Sequence, residues 1–304
     1  MKAISKSNLV EVPMRIHEDY VQGYGIYFDN ERCVYKTESQ FQTIEIYDNQ
    51  YFGKILVLDG VIQLTERDHF TYHEMITVVP YLLHKGIESV LIIGGGDCGT
   101  LAELAKLNIL DLTLVDIDEK VYESISTYLP ELKTGINFNN VNMLTACGAD
   151  FIKNTDKKFD LVIIDSTDPT ESNQLSSPLF DRKFYQNIRA QLNEGGILVA
   201  QGGMCELNDT VARRFQEASL TFDNKITYYH TCVPSYGGKM LFAMLFNDSD
   251  KYSHTLSKPK LITKFNNLSN QYQYINTETL FSSFCHPQIT INTFGDSYQQ
   301  LHFV

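Results

Sequence analysis

Ser89-Val-Leu-Ile-Ile-Gly-Gly-Gly-Asp-Cys-Gly99 is the stretch on which the fold turns. Its first five residues are a short, β-branched apolar run, as a strand covered on both faces requires. Gly94-Gly-Gly96 permits a tight turn, and Thr100 to Leu107 then reads as a helix. A second run, Leu112 to Val115, closes on Asp116, 20 residues after Gly96. Strand, glycine turn, helix and acid-ended strand together suit a nucleoside, whose ribose hydroxyls the acid holds. Taken alone, this pattern fits a dinucleotide enzyme, a methyltransferase or another adenosine binder.

Downstream the same rhythm continues. Apolar runs recur at Val141 to Leu144, Phe159 to Ile164 and Gly196 to Ala200, each separated by room for a crossover helix. Ile226 to Val233 and Met240 to Phe246, joined by Pro234-Ser-Tyr-Gly-Gly238, read as an antiparallel hairpin at the sheet edge. The region from Lys251 onward is polar and receives no assignment. Upstream, from about Tyr20 to Thr65, the pattern is of short strands and turns. Thr43 to Tyr47 alternates, Asp48-Asn-Gln50 breaks it, and Tyr51 to Leu58 reads as a strand ending at the turn Asp59-Gly60. The expected architecture is α/β: a small antiparallel β domain over 1–70, then a Rossmann-like, mostly parallel sheet over 71–304. So small a β domain has a thin core and should pack on the rest of the chain or on another subunit.

Composition narrows the partners. A net charge of −12 over 304 residues argues against nucleic acid and suits cationic ligands. No apolar run reaches the ~18 residues that span a bilayer, and Met1 to Pro13 lacks the apolar core of a signal peptide. The six cysteines are scattered, without zinc-type spacing. A cytoplasmic protein with reduced thiols is expected. Cys98, Cys147 and Cys205 fall near the ligand edge of the sheet, where small side chains in tight loops account for them. His69 and His73 stand four apart, a spacing that suits zinc on one helix face, but no metal is expected. Tyr228, Tyr229 and His230 read as strand packing, and Arg213-Arg214 as a solvated helix face.

Two features carry chemistry. A fixed carboxylate at Asp97, in the glycine turn, repels the carboxylate of S-adenosylmethionine and the pyrophosphate of a dinucleotide, and favours a bare ammonium. Asp165 and Asp168, in Phe159-Asp-Leu-Val-Ile-Ile-Asp-Ser-Thr-Asp-Pro169, stand where a parallel strand ends. Two acids there suit a diamine, because an alkylammonium must lose a proton to a general base before it can attack carbon.

These stretches, with Val57-Leu-Asp-Gly-Val-Ile-Gln-Leu-Thr-Glu-Arg-Asp68 and Tyr72-His-Glu-Met75, resemble the polyamine aminopropyltransferases, especially bacterial spermidine synthases. Val199-Ala-Gln-Gly202, Val233 to Gly238 and Tyr274-Ile-Asn-Thr-Glu278 continue the likeness, which covers residues 12 to 290. The resemblance implies a homodimer or homotetramer without metal or permanently bound cofactor, using decarboxylated S-adenosylmethionine as co-substrate. It implies Asp165 as catalytic base and Asp97 as partner of the aminopropyl amine. Gln42 and His73 would contact the same donor, and Asp116 its ribose. Tyr72, Asp168 and Tyr236 would line the polyamine groove, with Gln63 and Gln201 beside it.

Three departures stand out. Asp116 replaces the usual Glu. Cys147-Gly148 replaces an Asp-Gly pair whose carboxylate meets adenine, and a thiol is a weaker acceptor. The loop Thr170 to Pro178 is about three residues longer than the family pattern and lacks its Gly-Pro.

Overall fold

The computed structural model describes residues 14–107, 109–167, 176–204, 215–247, 255–268 and 272–304. Asp168, Cys205, Arg213-Arg214 and most of the 170–178 loop lie outside them.

Two small antiparallel sheets come first. β1 (Met14–Val21) and β2 (Tyr24–Asn30) form a hairpin. β3 (Arg32–Glu38), β4 (Thr43–Asn49), β5 (Gly53–Leu58) and β6 (Val61–Thr65) make a four-stranded meander. β5 starts two residues later than the sequence predicts. The Asn49 side chain accepts from the amides of Tyr51 and Phe52, which turns them out of the strand. Alternation along β4 and β5 gives the meander two apolar faces. Tyr47, Ile55 and Val57 meet Ile16 and Phe28 of the hairpin. Ile44, Ile46, Leu56 and Leu58 meet Val121, Ile125, Leu129 and Leu132 of the following domain. The thin β core is thus completed from within the same chain.

The second unit opens with α1 (Phe70–Leu83), most of whose residues are buried. The alternation then runs β7 (Ser89–Gly94), α2 (Gly99–Ala105), β8 (Asp111–Asp116), α3 (Glu119–Tyr128), β9 (Val141–Thr145), α4 (Gly148–Asn154) and β10 (Phe159–Asp165). It continues with α5 (Arg182–Gln191), β11 (Leu192–Met204), α6 (Gln216–Thr221), β12 (Thr227–Val233) and β13 (Gly238–Phe246). The seven strands lie in the order β12-β13-β11-β10-β7-β8-β9. The five from β11 to β9 are parallel, and β13 and β12 add antiparallel at one edge, as expected of the hairpin. Successive residues of β7 and β10 alternate between two cores. Val90, Ile92, Leu161 and Ile163 pack toward α1 and α2, whereas Leu91, Ile93, Val162 and Ile164 pack toward α4 and α5. Tyr228 and Tyr229 are buried, one in each core.

The unassigned C-terminal region holds β14 (Thr255–Leu256), α7 (Lys258–Asn266), α8 (Thr277–Ser282), α9 (Gln288–Phe294) and β15 (His302–Phe303). Leu261, Ile275, Leu280, Phe284 and Leu301 join the α1-side core. Buried Glu74 of α1 binds the segment between α7 and α8, accepting from the amides of Gln273, Tyr274 and Ile275 at 2.7–2.9 Å. Lys264 donates to the carbonyls of Tyr81, Leu82 and His84 and so closes the C-terminal end of α1.

Candidate active site

The strand order reverses between β7 and β10, and ligands of open α/β sheets bind at such a point. Gly94 and Asp165, the last residues of these strands, are register partners there. Gly94 has φ +85°, and a Cβ on it would lie 2.2 Å from the Asp165 carbonyl oxygen, so only glycine brings the turn this close. The Gly95 amide donates to that carbonyl at 2.8 Å. The Asp165 carboxylate is thereby held at the mouth of the switch point.

Two hydroxyls fix its orientation. Tyr72 Oη, from α1, donates to Oδ1 at 2.7 Å, and Thr100 Oγ1, from the first turn of α2, donates to Oδ2 at 2.6 Å. Burial, and then the neighbouring Asp165 charge, push the Tyr72 phenol well above its usual range, so it remains a protonated donor. Thr100 escaped the sequence reading. Its position one residue after the glycine turn was the available signal.

Asp97 lies beside this pair. Its Oδ1 accepts from the Gly99 amide at 2.7 Å and stands 3.6 Å from His73 Nε2. Burial raises the Asp97 carboxyl above the ordinary range; His73 opposes the shift and Asp165 adds to it. Gly99 is required by contact: a Cβ there would sit 2.1 Å from His73 Cε1. His69 and His73 face one another through Nδ1 at 3.2 Å, within hydrogen-bonding distance.

Asp116 ends β8 with Oδ2 accepting from the Gly96 amide at 2.9 Å and Oδ1 from the Asp118 amide at 2.8 Å. Burial pushes its carboxyl up to about 6 against the pull of those two amides. Gln42 Nε2 donates to Asp118 Oδ2 at 2.9 Å, which brings the N-terminal meander over this strand end. Cys147 is half-buried at the N-terminus of α4, and Gly148 is pressed against Ile93.

A cleft of about 480 Å³ joins these groups. Of the residues expected at the site, Gln42, Gln63, Tyr72, His73, Asp97, Asp116, Cys147, Gly148, Asp165, Gln201 and Tyr236 all line it. Cys98 does not: it is buried behind the glycine turn with its thiol pushed up to about 12 by burial. The far wall comes from the hairpin, whose Glu18, Asp19 and Tyr20 the sequence reading missed, as it missed Asp59. Tyr20 donates to the Tyr236 carbonyl at 2.8 Å, and Tyr236 Oη donates to the Gln63 carbonyl. Gln201 Nε2 donates to the Ser166 carbonyl at 3.0 Å. Behind this wall, buried Asp68 accepts from Thr65 Oγ1 at 2.6 Å and from Ser235 N and Oγ at 2.7 and 3.0 Å. That carboxylate ties the Tyr236 turn to the junction of β6 and α1.

Six carboxylates (Glu18, Asp19, Asp59, Asp97, Asp116, Asp165) line the cleft, with no Lys or Arg among its described residues. The cleft therefore carries an excess of carboxylates around Asp165, which two hydroxyls orient.

A family model described as the spermine/spermidine synthase domain matches residues 69–256, and one described as the spermidine synthase tetramerisation domain matches residues 14–66. The chain belongs to the spermine/spermidine synthase family. Among members of that family, the polyamine aminopropyltransferase of Buchnera aphidicola subsp. Acyrthosiphon pisum (strain Tuc7) is 37% identical over 286 residues, 92% of this chain and 98% of that protein. That of Pseudomonas syringae pv. tomato is 36% identical over 280 residues, 90% of this chain and 96% of that protein. A spermidine synthase crystallised with the transition-state analogue AdoDATO superimposes with a TM-score of 0.84 at 28% identity, covering 93% of this chain and 95% of that one. The spermidine synthase of Thermotoga maritima gives 0.82 at 28% identity, over 93% and 94% of the two chains. The protein is thus an aminopropyltransferase-family transferase, and its hairpin and meander correspond to the family's tetramerisation domain.

Proposed function

We propose that this protein transfers the aminopropyl group of decarboxylated S-adenosylmethionine to putrescine, giving spermidine and 5′-methylthioadenosine (EC 2.5.1.16). The observation that carries this reading is the oriented Asp165 carboxylate at the centre of a cleft lined by acids and lacking Lys or Arg among its described residues. Asp165 takes a proton from the putrescine ammonium. The freed amine attacks the aminopropyl carbon, a C–N bond forms as the C–S bond breaks, and the electron pair returns to sulfur, which becomes a neutral thioether. The chain's contribution is to hold nucleophile and sulfonium in line and to keep water from the amine.

Asp97 receives the donor's primary ammonium, with His73 and Gln42 on the same side. Asp116 holds the ribose hydroxyls, and Cys147-Gly148 borders the adenine. Tyr72, Tyr236, Gln63 and Gln201 line the path of the acceptor amine, and Asp168, outside the described residues, is assigned to the same amine by the family resemblance. The unit works as a homodimer or homotetramer in the cytoplasm, a setting with which the five free cysteines described agree. Domain boundaries near residue 70 follow from the same reading.

The test is to offer decarboxylated S-adenosylmethionine with a panel of di- and triamines and identify products by mass spectrometry. Spermidine and methylthioadenosine from putrescine are expected. Product only with another amine would reassign the acceptor, and no product with any amine would overturn the reading.

A further inference from the structure

One oxygen of Asp97 is fully engaged by the protein. Oδ1 accepts from the Gly99 amide and faces His73 Nε2, whereas Oδ2 has no hydrogen-bond donor among the described residues. The ring of His73 has no room to withdraw, because it lies against the backbone of Gly99. Behind it, one helical turn earlier, His69 sets its Nδ1 3.2 Å from His73 Nδ1, with the ring centroids 5.4 Å apart.

Two facing ring nitrogens at that distance share a single hydrogen, so one imidazole donates and the other accepts. The opposite nitrogen of His73 decides which. Nε2 stands 3.6 Å from a carboxylate oxygen, where an N–H is attracted and a lone pair is repelled. A neutral His73 therefore carries its hydrogen on Nε2 and accepts at Nδ1, and His69 must donate. His69 suits that part. Burial, then His73 and Lys106, hold its pKa down to about 3, so it remains an uncharged ring with one N–H.

We propose that His69 is a positioning residue of the donor site: its Nδ1–H locks His73 in the Nε2–H tautomer, which keeps the Asp97 carboxylate ionised and its free oxygen available to the donor's ammonium. This rests on the reading of Asp97 as the ammonium partner. Without His69, Asp97 alone favours the Nε2–H tautomer, and the fraction of His73 with its hydrogen on Nδ1 rises. Its Nε2 lone pair then faces Asp97, and the buried carboxyl answers by taking a proton. The ammonium loses its counter-charge while the nucleoside contacts are untouched.

The tautomers are read directly by multiple-bond ¹H–¹⁵N correlation on histidine-labelled protein, with His73→Gln assigning the signals. Wild-type protein is expected to show His73 protonated at Nε2 alone and His69 at Nδ1, and His69→Phe to shift His73 toward Nδ1. Calorimetry supplies the second readout. In His69→Phe the affinity for decarboxylated S-adenosylmethionine falls about tenfold, the scale of one hydrogen bond to a charged group. Affinity for 5′-methylthioadenosine, which lacks the amine, moves less than about twofold on the same basis. His69→Asn, whose amide N–H stands in for Nδ1–H, recovers most of the loss. A wild-type His73 protonated at Nδ1 or at both nitrogens overturns the proposal, and so does equal weakening of both ligands. Should wild-type protein bind neither ligand, the donor reading itself fails and the tautomer result alone decides the histidine pair.

Discussion

Tyr72 donates its phenol hydrogen to Asp165 Oδ1 at 2.7 Å, joining residues 93 positions apart at the switch point of the sheet. Burial keeps the phenol protonated, so Tyr72 remains the donor of this bond. Tyr72→Phe removes one of the two side-chain donors on Asp165 while the ring still packs against Phe242, 5.2 Å away. Turnover is expected to fall about tenfold, the worth of one hydrogen bond to a charged group, with little change in melting temperature. Steady-state kinetics and a thermal melt check both halves.

In the proposed function Asp97 sets the charge of the donor end. Asp97→Asn keeps a carbonyl for the Gly99 amide but removes the negative charge. Affinity for the decarboxylated donor is expected to drop ~10- to 100-fold, and the preference over carboxylated S-adenosylmethionine to shrink in step. Calorimetry with the two donors measures it.

Asp116 gives the site a pH dependence of definite sign. Its carboxyl titrates near 6 in the folded protein, against 3.8 unperturbed. Between those values the folded state binds more protons than the unfolded one, so this group's contribution to stability falls as pH rises from 3.8 toward 6. Ligand binding runs the other way. If Asp116 holds the ribose as proposed, protonation removes the charge that does so, and 5′-methylthioadenosine affinity should be constant above pH 7 and fall by up to about tenfold per pH unit below 6. Titration calorimetry from pH 5 to 8 tests this, and Asp116→Asn should flatten the profile.

Asp68 links structure to the proposed groove for the acceptor amine. Asp68→Ala strands Thr65 Oγ1 and both donors of Ser235, next to Tyr236. A loss of about 3 kcal/mol in stability is expected. The KM for the amine should rise, with donor affinity retained. Denaturant unfolding and a KM comparison separate the two effects.

Much of this was legible in the sequence because it is local. Ser89 to Gly94 announces a buried strand by its β-branched run, and Asp116 and Asp165 announce the ligand edge because each ends such a run. What was not legible depends on contacts between distant segments. Glu74 binds the amides of 273–275 from about 200 positions away, and nothing near either partner signals it. The C-terminal helices are only 9, 6 and 7 residues long, too short for their apolar faces to show a period. The acids at Glu18 and Asp19 look like an ordinary exposed strand until the hairpin folds over the cleft, where Glu18 accepts from the Ile62 amide at 2.9 Å. The His69–His73 spacing was visible, but its use as a hydrogen-bonded pair required the rings' orientation.

The most direct measurement is the rate of methylthioadenosine release by Asp165→Asn with saturating decarboxylated S-adenosylmethionine and putrescine. General-base catalysis by this residue predicts a loss of roughly 10²- to 10⁴-fold, with donor affinity close to that of the unaltered protein. Turnover retained in full by Asp165→Asn would contradict the account at its centre.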